Sequence, residues 1–262
     1  MSIELNEMQV KLARALGHPD KVKREKTIKM LNNYIPSNTF NDLEMMKLWK
    51  ALHYCLWLTD KAAIQLDVSN MLAELVHTCK DNEQAEQFIT CFFKTIMREW
   101  GTLDYHRINK FYAFIRCVLR NMFMYLRDRK WNKTLTESFM NIIVMEVLRN
   151  VPNGPRLHLA DIFLVELYRG STIATKESNI STSTSNDKKK SKKGKSQSIS
   201  NNDLDDKTMC ILLAPWINIT VIERDHVFRQ RVLQNVFIDY ADTYAQERYI
   251  EIDEPIKKKD KI

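Results

Sequence analysis

His158, Asp161 and Glu166 are the residues of this sequence that come nearest to an acid–base or metal-ligating set. On a helix, positions three apart share a face, so His158 and Asp161 could act together on a proton or an ion. A metal site needs three or four converging ligands, however, and this set reads better as a buried polar contact between helices. His53 and Cys55 pose a smaller version of the question; two residues apart on a helix they diverge, which disfavours ligation. The sequence holds no Gly-rich phosphate loop, no G-x-S-x-G, no H-E-x-x-H and no C-x-x-C. No catalytic chemistry, metal, cofactor or small-molecule substrate is therefore expected.

The basic residues carry more information. Between Lys94 and Lys133 there are ten Lys or Arg against three acids, Glu99, Asp104 and Asp128, an excess equal to the +7 of the whole chain. Arg116, Arg120 and Arg127 are spaced four and seven apart, which places them on one stripe of a helix whose neighbouring positions, Tyr112, Ile115, Leu119 and Phe123, face a core. With Arg107, Lys110, Arg129 and Lys130 they form a candidate row for RNA phosphates, each contact adding affinity and salt dependence. The competing reading is a solvated face, or ion pairs to adjacent helices. A second basic feature is the run KKKSKKGK, with Lys188, Lys189, Lys190, Lys192, Lys193 and Lys195 and no acid. It matches a nuclear-import signal or a polyanion tether, and a solubilising linker is its plainer explanation.

The elements that must position these residues are helical. Only 5 Gly and 6 Pro occur in 262 residues, too few for the tight turns of a sheet-rich fold, and 44% hydrophobic content suffices for a core. Apolar residues recur at three- and four-residue spacing in about eight windows before residue 171. The first spans Ile3 to Leu16 and is ended by Gly17; the second stops at Pro36. The third, Phe40 to Leu58, is apolar around most of its circumference and must be central. Asp60 is the expected N-cap of the fourth, and the eighth runs from Pro155 to Gly170. From Ser171 to Asn202 the chain turns to Ser, Thr, Asn and Lys, where burial cannot offset the entropy of ordering. The expected organisation is a main helical block over 1–170, a disordered basic loop over 171–202, helices broken at Pro215 that dock on the main block over 203–250, and a basic tail over 251–262.

Long helices with short connections favour stacked antiparallel hairpins, an all-α arrangement of the repeat-solenoid kind without a strict sequence period. Cys55, Cys79, Cys91, Cys117 and Cys210 are odd in number and read as reduced, intracellular thiols. The first residues lack the apolar run of a secretory signal, and no stretch approaches the roughly 20 apolar residues of a membrane span, so a soluble protein with no membrane partner is expected.

Three segments resemble one family. LWKALHYCLWLTDKAAIQLDVSNMLAEL (Leu48 to Leu75), FFKTIMREWGTLDYHRINKFYAFIRCVLRNMFMYLRDRKW (Phe92 to Trp131) and GPRLHLADIFLVEL (Gly154 to Leu167) are similar to the ribosomal RNA processing protein 1 family, also called the nucleolar protein 52 or novel nuclear protein 1 family. LLAPWINI adds a weaker match. Ala51 stands where that family usually has Gly, Phe93 where Trp is common, and Ile108-Asn109 where Leu-Asp is usual. The resemblance implies a HEAT-like α-α superhelix in the nucleolus and nucleus, acting as a non-catalytic scaffold in large-subunit precursor assembly and pre-ribosomal RNA processing. Its implied partners are pre-ribosomal RNA, large-subunit assembly factors and ribosomal proteins. His158, Asp161 and Glu166 match the family's own His, Asp and Glu, which suits a structural contact. The alternative is a protein-binding helical adaptor without RNA contact.

Overall fold

A computed structural model of the chain describes residues 7–16, 18–172 and 204–243. The lysine run from Lys188 to Lys195, the basic tail, the helix stop at Gly17 and the expected disorder of the loop lie outside these residues. Among the described residues ten helices follow one another: α1 (Glu7–Leu16), α2 (Lys21–Ser37), α3 (Asp42–Trp57), α4 (Ala62–Glu74), α5 (Asn82–Glu99), α6 (Tyr105–Asp128), α7 (Lys133–Ile143), α8 (Asn153–Ser171), α9 (Asp206–Ile222) and α10 (His226–Val232). Short 3-10 turns extend α4 and α5, and π-helical turns extend α7 (Val144–Leu148) and α10 (Leu233–Ile238). No strand occurs among the described residues.

The helices form two layers. Odd-numbered helices pack in series, α1 on α3, α3 on α5, α5 on α7 and α7 on α9. Even-numbered helices do the same, α4 on α6, α6 on α8 and α8 on α10, with α2 meeting the turn at the end of α4. Each hairpin thus contributes one helix to each layer, and each unit buries its apolar stripe only against its neighbours, as in an α-α superhelix. α3 is enclosed by α1 and α5 on its two sides and by α4 and α6 behind it, which accounts for its apolar circumference. Trp49 on α3 is fully buried, donates from Nε1 to the Phe88 carbonyl at 2.8 Å, and has the rings of Phe88, Phe92 and Phe114 around it. The last hairpin is tied in through Trp216 of α9, whose ring meets Phe163 of α8 edge to face at 5.0 Å.

Four boundaries differ from the expectations, each for a tertiary reason. α2 runs past Pro36 to Ser37, because a proline in the final turn forfeits one hydrogen bond while buried Ile35 holds that turn in place. α9 continues through Pro215; Leu212, Leu213, Trp216 and Ile219 are buried on either side, and at about 1.5–3 kcal/mol each their burial exceeds the roughly 3 kcal/mol that an interior proline costs. Asp60 does not cap α4. The N-cap is Lys61, without a side-chain cap, and the loop before it is held by Gln65, which donates to the carbonyls of Thr59 and Asp60.

Gly170 does not end α8 with a left-handed residue; it lies within the helix, where α6 comes close. A Cβ there would sit 2.8 Å from the Phe123 Cβ and 2.9 Å from the Arg120 carbonyl oxygen. Gly170→Ala is expected to lower stability by about 1–3 kcal/mol through overpacking against backbone that cannot yield. A urea midpoint equal to that of the unsubstituted chain would contradict this close approach.

Candidate nucleic-acid interface

The arginine stripe of α6 faces α8. Glu166 of α8 is completely buried, and three guanidinium groups converge on it. Arg116 donates from Nε to Glu166 Oε1 at 2.8 Å and Arg120 from Nε to Oε2 at 2.7 Å, and in each case Nη2 lies at the same oxygen while Nη1 lies outside the contact. Arg169, one turn along α8, donates to Oε1 at 3.2 Å. The side chains of Arg116, Arg120 and Arg169 are 35%, 32% and 55% exposed, so one carboxylate fixes three cations whose outer edges meet solvent. Three positive charges against one negative leave an excess of two, held at a site with little freedom to reorganise.

The other members of the predicted row are placed differently. Arg127 donates from Nη1 to the carbonyls of Gly170 and Thr172 and pairs with Asp128, so it serves mainly to satisfy the open carbonyls at the end of α8. Lys110 is buried, and its ammonium donates to the carbonyls of Trp57 and Thr59 at 2.8 Å each. It caps the end of α3, where a cation is favoured by the helix dipole, and cannot present its charge to a phosphate. Arg107 pairs with Asp104 and lies over the Trp57 ring at 4.7 Å. Arg129 lies over the Tyr125 ring at 3.3 Å and donates to Asn82 Oδ1. Lys130, exposed at the end of α6, has no ion pair among the described residues.

Helical spacing brought Arg116 and Arg120 together but gave no hint of Arg169, although its i+3 relation to Glu166 is visible in the sequence. Lys26 and Lys29 of α2, three apart and exposed in the same layer, were also passed over.

The candidate acid–base residues do not form a site. His158 Nε2 is 3.0 Å from the Tyr112 carbonyl, and burial holds the ring's pKa below the ordinary histidine value, so the neutral imidazole donates there. Asp161 accepts from Arg231 at 2.9 Å and Asn235 at 2.7 Å, fastening α10 and the turn after it to α8. With Glu166 given over to arginines, the three side chains serve three separate contacts. His53 is buried with its ring stacked on Phe111, while burial raises the Cys55 thiol pKa far above its ordinary value. No cluster of three or more His, Cys, Asp or Glu able to hold a metal occurs among the described residues, and no helix there is long and apolar enough to cross a membrane.

Comparison with known proteins agrees with the sequence resemblance. The family model described as "Nucleolar protein, Nop52" matches residues 7–262. Human ribosomal RNA processing protein 1 homolog B is 34% identical over 176 residues, covering 64% of this chain and 23% of its own length. Human homolog A is 31% identical over 182 residues, covering 66% of this chain and 40% of its own length. The homolog from Dictyostelium discoideum is 23% identical over 263 residues, covering 92% of this chain and 47% of its own length. The chain spans less than half the length of each of these relatives.

Proposed function

Because the chain belongs to the Nop52 family of nucleolar proteins, we propose that it acts in ribosomal RNA processing and ribosome assembly in the nucleolus. The matching relatives are named for the processing step, which supports that role. Its part is that of a non-catalytic scaffold for large-subunit precursors, which holds precursor RNA and assembly factors. The observation that carries the RNA contact is the arginine cluster between α6 and α8: an excess of two positive charges, pre-organised on a buried carboxylate, with the Nη1 edges of Arg116 and Arg120 turned away from it. Arginine presented in this way suits the planar, forked recognition of phosphate. Lys130 stands fourteen residues beyond Arg116 on the same helix and its end, roughly 21 Å at 1.5 Å per residue, a span that would cover several phosphates of an A-form strand.

The test spares the contacts to Glu166. A chain carrying Arg169→Ala and Lys130→Ala, with Arg116 and Arg120 intact, is titrated with a labelled RNA hairpin bearing single-stranded flanks at several salt concentrations. The slope of log affinity on log salt is expected to become shallower by roughly 1–2, as two phosphate contacts are lost. Unchanged affinity and slope would leave the adaptor reading, in which the chain meets proteins alone.

A further inference from the structure

We propose that the outer face of α9, with the groove between α9 and α7, is the docking site for an amphipathic helix of a partner protein, one with an apolar stripe and a basic flank. This inference adds a protein surface to the scaffold role above and uses none of the residues assigned there to RNA.

The argument starts from the helical wheel of α9. At 100° per residue, Thr208, Met209, Leu212, Leu213, Trp216 and Ile219 occupy one arc and are buried against the rest of the molecule. The opposite arc holds Cys210, Ile211, Ala214, Ile217, Val221 and Ile222, interrupted by the polar Asn218 and, in the first turn of the helix, by the exposed Lys207. Ile217, Val221 and Ile222 are 52%, 79% and 59% exposed. A helix that is apolar all round is ordinarily buried all round, and a contiguous apolar patch on a surface marks a contact. The position in the stack sharpens this: α9 is the last described helix of the odd layer, and the end of a superhelix needs a polar outer face unless another element stacks on it.

Shape and charge select the occupant. The groove has a volume of about 450 Å³ and is lined by Met140, Val144, Ile211, Pro215, Ile219 and Ile222, with Glu137 near the start of α7 and Arg149 past its end. Twelve residues of helix separate those two, roughly 18 Å, the length of three turns of a partner helix. Across α7 lies a second groove of about 620 Å³, which shares Asn141 with the first and is lined by Asp42, Asp81, Glu83, Glu86 and Glu146, with Lys80 as the cation of the lining and Lys94 paired to Glu146 at 3.8 Å, so the acids remain in excess. This acidic flank repels phosphate, so RNA is directed to the α6–α8 face, while it attracts lysines on the side of a helix whose apolar stripe lies on α9.

The test uses the whole chain and two synthetic fifteen-residue helical peptides with the same leucine stripe, one flanked by lysine and one by glutamate. In fluorescence anisotropy the lysine-flanked peptide is expected to bind at least about tenfold more tightly than the other, in keeping with a complementary potential. Ile222→Lys and, separately, Val221→Lys are expected to abolish that binding while circular dichroism and RNA affinity stay unchanged; Ile222→Leu keeps it. Equal binding of the two peptides, binding that survives both lysine substitutions, no binding by the unsubstituted chain, displacement of the peptide by the RNA hairpin, or a self-association that Ile222→Lys breaks would each overturn the proposal. The RNA titration with Arg169→Ala and Lys130→Ala can fail without affecting this result, and the reverse holds as well.

Discussion

Replacing Arg116 and Arg120 together with alanine is expected to destabilise the protein by about 3–5 kcal/mol, the range for leaving a buried charge without its partners. The reason is the asymmetry of the cluster. Glu166 is fully buried, whereas the arginines are about one-third exposed and can be solvated by water when the carboxylate is removed. After the double substitution the carboxylate keeps only the bond from Arg169 and must remain charged in an apolar setting or take up a proton. Glu166→Gln removes the negative charge instead and is expected to cost less than half as much, since the amide oxygen still accepts from one guanidinium. Urea unfolding of the two variants side by side measures the difference; equal losses would mean that the burial of Glu166 is not what makes the cluster matter. The same reasoning rules out triple charge reversal at Arg116, Arg120 and Arg127 as a probe of RNA binding, because it would set new carboxylates against a buried one and unfold the α6–α8 contact.

His53 is expected to make the protein lose about 3 kcal/mol of stability as the pH falls from about 6.5 towards 4. Burial drives its pKa down to about 4; Glu99 opposes the shift, and the nearby Lys50, Arg98 and Lys110 add to it. The ring is stacked on Phe111 at 4.5 Å and its Nε2 has no partner, so a proton gained there would have no acceptor waiting. The sign follows from the order of protonation. The unfolded chain takes up its proton near the ordinary histidine value, the folded chain only near 4, and in that window protonation favours unfolding. The stabilising contribution is fully present above about pH 6.5 and is lost on the way down to 4. His53→Leu should flatten most of this dependence, leaving a residual slope from His77 and His158, whose pKa values burial lowers in the same direction, and, near the acid end of the range, from Glu99 and Glu223, whose carboxyls are held below the ordinary value by their hydrogen bonds and neighbouring cations. Denaturation midpoints at a series of pH values check this, and a slope as steep in the variant as in the parent would sink it.

The boundaries at Pro36 and Pro215 show where local reading ends. A proline weighs against a helix by an amount that can be stated from sequence, but whether the helix continues depends on how much apolar surface is buried around it, and Trp216 finds Phe163 only when α9 meets α8. Gly170 teaches the same lesson in reverse: a glycine near a helix end looks like a terminator, and here it is a place where two helices touch. The candidate interface was legible in part. The spacing of Arg116 and Arg120 put them on one face, yet the sequence could not say that this face meets Glu166, or that Lys110 of the same run is turned inward onto the carbonyls of α3.

By itself the sequence determined that the chain is all-helical, that α3 is apolar around most of its circumference, and which family it resembles, since apolar periodicity and long motif runs are properties of neighbouring residues. Tertiary structure alone decided which cations stay at the surface and which are consumed inside, and that α9 presents a bare apolar face. Those outcomes depend on contacts between residues some fifty positions apart, whose free energy no local pattern encodes.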